Sequence, residues 1–179
     1  MFDRLLGTIG LLVARFRYRK APEEMLSFNE AVRAARRVLV IMPLRKREFL
    51  PTVLVIEFLK QRFREEHITV VSDDHGREAV RMLPRSYFIH VLKEEISPVF
   101  LPRRTLLYRV RERQYDLAID LNLDFVLPSA YICRESNARV RIGFARSNAD
   151  TFYNFQFQTD PRLDRKKVYD RMAAFLQKF

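Results

Sequence analysis

Five apolar runs constrain the fold more than anything else in this chain. They read VLVIM (38–42), HITVVS (67–72), SYFIHVL (86–92), YDLAIDL (115–121) and ARVRIGF (138–144). Continuous rather than alternating apolar character marks strands buried on both faces, as in a parallel sheet. Helical patterns separate them: LPTVLVIEFLKQRF (50–63), the short REAVRMLP (77–84), the basic RRTLLYRVRERQ (103–114), FVLPSAYICRES (125–136) and the closing DRKKVYDRMAAFLQKF (164–179). Right-handed crossovers then give an α/β domain, a single Rossmann-like, doubly wound, mostly parallel sheet. The expected boundaries are an amphipathic basic leader helix over 1–20, a linker and short helix over 21–37, and the sheet domain over 38–179. Ser27 and Glu30 have the spacing of a capping box at the start of that short helix. Among the 179 residues no internal repeat is visible, and the length suffices for one real core.

Ligands of such sheets bind outside the carboxyl ends of the strands, which selects the loops after Met42, Ser72 and Leu121. The whole chain has four glycines, so neither G-x-G-x-x-G nor a P-loop can be drawn. The first loop instead offers Arg45, Lys46, Arg47 and Glu48 at the start of a helix. The cations suit phosphates or carboxylates of an acidic ligand, and a partly buried Glu48 suits a general base for a hydroxyl. A solvated basic turn is the competing reading. Asp120 and Asn122 close the fourth strand, where a carboxylate and an amide can orient a sugar hydroxyl or simply end the strand. Asp116 reads as a turn residue. His67, His75 and His90 lack metal-ligand spacing, with His90 placed mid-strand, and Asp73-Asp74-His75 is too small a set for a metal. No metal and no cofactor is expected. The single cysteine, Cys133, excludes an intrachain disulfide, reads as a buried thiol and points to a reducing compartment, the cytoplasm.

Charge adds a partner class. The net charge is +11, and residues 1–47 hold 11 Lys/Arg against 4 Asp/Glu. Such an excess suggests an anionic partner, namely nucleic acid, an anionic membrane face or a phosphorylated substrate, with a basic but merely solvated surface as the competing reading. In the leader, Phe2, Leu5, Leu6, Ile9, Leu12, Val13 and Phe16 share one helical face, followed by Arg15, Arg17, Arg19 and Lys20. The uncharged run is too short to span a bilayer and the flanks do not fit a signal peptide. An interfacial helix on anionic lipid and a helix docked on its own domain or on a partner both fit.

The order of these pieces resembles glycosyltransferase family 9, the ADP-heptose:lipopolysaccharide heptosyltransferases. VLVIMPLRKREFLPTVLVI is similar to the family's ILVIRPSSLGDVVHTLPAL, EHITVVS to AHITWLV, QYDLAIDLNLD to RYDLVIDLQGN, and ARVRIGF to ARRRIGF. Tyr153-Asn154 matches a YN that often follows, and VYDRMAAFL looks like VERYLALL. Together they cover roughly residues 37–179. The resemblance implies the N-terminal half of a two-domain GT-B fold. It further implies an acceptor site for an acidic, lipid-linked sugar and metal-independent, inverting transfer from a nucleotide sugar. The family's Gly-Asp falls on Arg47-Glu48, so this loop differs in shape. The expected function is an acceptor-binding half in lipopolysaccharide or cell-envelope glycan synthesis, cytoplasmic and peripheral to the inner membrane. It is expected to be inactive alone for lack of the nucleotide-sugar domain, which a separate chain would carry. The alternatives are a noncatalytic membrane-surface scaffold with the same fold and, third, a nucleic-acid-binding protein without a visible recognition motif.

Overall fold

A computed structural model describes residues 2–19, 27–74, 81–160 and 162–179. Lys20, most of the expected linker, His75, Gly76 and the first residues of the short helix expected at 77–84 lie outside the described residues, as do the side chains of Asp3 and Lys46.

The chain opens with helix α1 (Phe2–Tyr18) and helix α2 (Phe28–Ala34). Strand β1 (Val38–Ile41) leads through a loop into α3 (Lys46–Phe49), a 3-10 turn and α4 (Val53–Arg62). Strands β2 (Ile68–Ser72) and β3 (Tyr87–His90) precede α5 (Arg104–Arg111). Then follow β4 (Leu117–Asp120), α6 (Leu127–Glu135), β5 (Val140–Phe144), β6 (Phe155–Phe157) and α7 (Arg165–Leu176). The strands form one six-stranded sheet in the order β3-β2-β1-β4-β5-β6, and every pairing is parallel. This is the order of a doubly wound Rossmann-type sheet, with its switch point between β1 and β4.

Alternate side chains of each strand feed two cores, because successive Cβ atoms point to opposite faces. Val38, Val40, Ile68, Val70, Leu117, Ile119 and Ile142 pack beneath α4 and α7. Leu39, Ile41, Val71, Ile89 and Ala118 pack beneath α5, α6 and the inner side of α1. Full burial of all four β1 residues is why VLVI has no polar alternation.

Three local expectations are corrected. Ser27 occupies the N-cap position of α2, but its side chain makes no capping bond, so no capping box forms. α7 is capped instead, Asp164 Oδ1 accepting from the Lys167 N–H at 2.9 Å. β6 is an additional strand, three half-buried residues at the sheet edge. His90 ends β3 rather than lying inside it, and its Nε2 is 3.1 Å from Asp74 Oδ1.

Candidate functional site

The first loop leaves β1 at the centre of the sheet, beside β4. Asn122 joins the two strand ends. Its Oδ1 accepts the Leu44 N–H at 3.0 Å, and its Nδ2 lies 3.5 Å from the Met42 carbonyl oxygen. Asp120 fixes Asn122 in turn, Oδ1 accepting from the Asn122 backbone N–H at 3.0 Å and side-chain Nδ2 at 2.7 Å. Asp120 Oδ2 accepts the Tyr153 hydroxyl at 2.7 Å. Burial raises the Asp120 carboxyl from 3.8 to about 6, while the bonds from Asn122 and Tyr153 pull it down. The same burial lifts the Tyr153 phenol well above its ordinary range. Asp120 and Asn122 are both buried, and in this arrangement they brace the loop from below.

Glu48 is also buried, only 2% exposed, but lines an open cleft of about 310 Å³. Its Oε1 lies 3.8 Å from Arg45 Nη1 and 3.8 Å from Arg165 Nε. Those ion pairs are longer than hydrogen bonds and leave room for a shorter bond from a ligand hydroxyl. Arg45 is half-exposed and also pairs with Asp124. Arg165 begins α7, and one turn later the buried Tyr169 hydroxyl donates to the Leu121 carbonyl oxygen at 2.5 Å. That bond fixes the start of α7 against the end of β4 and so holds Arg165 over Glu48. Arg146 completes the wall, its Nη1 donating to Thr159 Oγ1 at 3.1 Å and to the Ala145 carbonyl oxygen at 2.7 Å. Leu123 and Val168 form an apolar floor, and Asp160 and Asp164 line the far side.

The structure therefore brings Arg45 and Glu48 together and sets Asp120 and Asn122 directly behind them. Arg47 is exposed. Sequence reasoning missed Arg146, Thr159 and Arg165, which reach the cleft from loops after β5 and β6 and from the start of α7. No local pattern marks Arg165, because its place over the cleft depends on how α7 packs on the strand ends. In charge the cleft differs from a bare basic turn. Arg45, Arg146 and Arg165 face Glu48, Asp124, Asp160 and Asp164, an alternation of donors and acceptors that suits a hydroxyl-rich ligand as well as a charged one. Among the described residues no group of His, Cys, Asp and Glu has the arrangement of a metal site.

No protein-family model matches the sequence, and no curated protein matches it. Among solved structures, E. coli heptosyltransferase WaaC with ADP-2-deoxy-2-fluoro heptose aligns with a TM-score of 0.61 at 17% identity, over 80% of this chain and 49% of that one. E. coli heptosyltransferase WaaC with ADP aligns with a TM-score of 0.58 at 18% identity, over 80% and 47%. The fold is that of part of a heptosyltransferase. The chain spans about half the length of those heptosyltransferase structures. The resemblance seen in the sequence motifs thus extends to the heptosyltransferase-like backbone, with Glu48 in a cleft at the strand ends where such α/β sheets bind ligands.

Proposed function

We propose that this chain is the acceptor-binding half of a glycosyltransferase of the family 9, heptosyltransferase-like type. It works in lipopolysaccharide or cell-envelope glycan synthesis at the cytoplasmic face of the inner membrane. The observation that carries this reading is the buried Glu48 carboxylate, held between Arg45 and Arg165 in a cleft at the carboxyl ends of β1 and β4. An acidic, lipid-linked sugar enters that cleft, its carboxylate or phosphate meeting Arg45 or Arg146 and one of its hydroxyls meeting Glu48. Glu48 accepts the proton of that hydroxyl as its oxygen attacks the anomeric carbon of a nucleotide sugar. The nucleotide leaves from the opposite face, with inversion. The nucleotide sugar is held by a second domain or chain, and this domain transfers no sugar by itself.

The test is calorimetric titration of the protein with deacylated lipopolysaccharide, followed by a transfer assay with a nucleotide-sugar-binding half added. Binding that R45A and R165A weaken, together with transfer that E48Q lowers by a factor of about 10² or more, is the expected result. Absence of acceptor binding by the intact protein refutes the reading.

One observation favours a second reading. Glu48 is one methylene longer than the Asp at the corresponding family position and is already paired with two arginines. A noncatalytic module that keeps the cleft for binding alone has this arrangement. It gives acceptor binding without transfer in the same pair of assays.

A further inference from the structure

Helix α1 has two working faces, and only one is used inside the domain. The inner face sets two small residues, Gly10 and Ala14, beside Leu11 and Tyr18. Gly10 lies so close to the turn before α5 that a Cβ there would stand 2.0 Å from the Val99 carbonyl oxygen. Ala14, one turn later, is fully buried. The end of the helix is then locked. The Tyr18 hydroxyl donates to Glu135 Oε1, Arg17 Nε lies 3.2 Å from the same oxygen, and Arg15 Nη2 donates to Asn148 Oδ1 at 2.6 Å. The Tyr18 ring packs on Tyr131 and Phe152. Docking is thus satisfied by Gly10, Ala14 and Tyr18.

The outer face carries Phe2, Leu5, Ile9, Leu12, Val13 and Phe16, each between 42% and 72% exposed. Their spacing forms one continuous stripe along the helix, unlike the scattered apolar residues normal on a protein surface. Arg4 and Arg19 flank it, whereas Arg15 and Arg17 are held by Asn148 and Glu135, and Asp3 is the sole acidic residue between positions 2 and 19. The Arg19 guanidinium stacks 4.2 Å over the Phe16 ring, at one end of the stripe. No helix among the described residues is long and apolar enough to cross a membrane.

We infer that the outer face of α1 seats in an anionic lipid bilayer, its apolar stripe at the headgroup–acyl boundary and Arg4 and Arg19 on lipid phosphates. Charge complementarity selects this occupant. A stripe of large apolar side chains rimmed by cations is the pattern of a helix lying in an anionic interface, and the rim of a protein–protein contact has no need of one sign of charge. Because the inner face is pinned by Gly10 and the Glu135 cluster, α1 is a rigid foot. The domain therefore meets the bilayer in one orientation rather than on a flexible tether. The inference rests on the membrane placement proposed above and is independent of what the Glu48 cleft binds.

The test is co-sedimentation of the full chain with vesicles of equal parts phosphatidylglycerol and phosphatidylcholine, against phosphatidylcholine alone. The protein binds the anionic vesicles at low salt and releases as salt rises, and L5Q/L12Q/F16Q lowers the affinity by roughly tenfold or more with its circular dichroism unchanged. The chain has no tryptophan, so L12W supplies a single indole whose emission shifts to the blue on those vesicles. Three results overturn the inference: no binding, equal binding by the triple variant, or a lipid-free self-association that the triple variant abolishes, which would assign the stripe to a second copy of the chain. The vesicles contain no glycan, so failure here leaves the cleft reading intact.

Discussion

The side-chain oxygen of Asn122 accepts the Leu44 backbone N–H at 3.0 Å, and through that one bond the end of β4 sets the shape of the loop that presents Arg45 and Glu48. N122A removes that acceptor and the donor beside the Met42 carbonyl, in a buried setting. Leaving a buried polar group unpaired costs about 1–3 kcal/mol. Urea unfolding of N122A should show a loss of that size, and affinity for deacylated lipopolysaccharide should fall because the loop loses its brace.

Gly143 on β5 is a test of the same network from the other side. A Cβ at this position would lie 2.5 Å from the Tyr153 ring, which cannot swing away without leaving Asp120. G143A should destabilise by about 1–3 kcal/mol, the usual cost of overpacking. Y153F should remove most of the additional effect, since the ring then has no hydroxyl bond to give up, and the double-variant cycle should show coupling between the two positions.

Asp120 should leave a signature in the pH dependence of stability. Its carboxyl rises from 3.8 to about 6 on folding, so the folded state holds the proton more tightly than the unfolded chain. Its contribution is therefore fully present below about pH 4, is lost as pH rises towards about 6, and is constant above that; the span is about 3 kcal/mol. D120N cannot titrate. The stability of the variant relative to the parent should rise across that window and level off beyond it, as read by urea unfolding at successive pH values.

Much of the fold was legible because burial on both faces leaves a clear mark. Val38–Ile41 and Val140–Phe144 are apolar enough to announce central strands. β6 escaped notice since Phe-Gln-Phe is three residues long, half-buried and at an edge, where burial imposes little pattern. The site was half legible. Arg45 and Glu48 follow β1 directly, so the rule for α/β sheets points at them. Arg165 arrives through the packing of α7 on the strand ends, fixed by Tyr169, and no local pattern records such a tertiary placement. The stripe on α1 was readable from its spacing. That Gly10 and Ala14 make the docking face was written in the same helix as small residues four apart, whose meaning appears only against Val99.

The central claim is that the Glu48 cleft is an acceptor site, and amide-resolved NMR titration of the protein with deacylated lipopolysaccharide tests it most directly. The account predicts saturable shifts centred on Leu44, Glu48, Asp124, Arg146 and Arg165, reduced by about tenfold in affinity in R165A. Shifts confined to the opposite end of the sheet, around Arg37 and Arg113, or none at all, would contradict it.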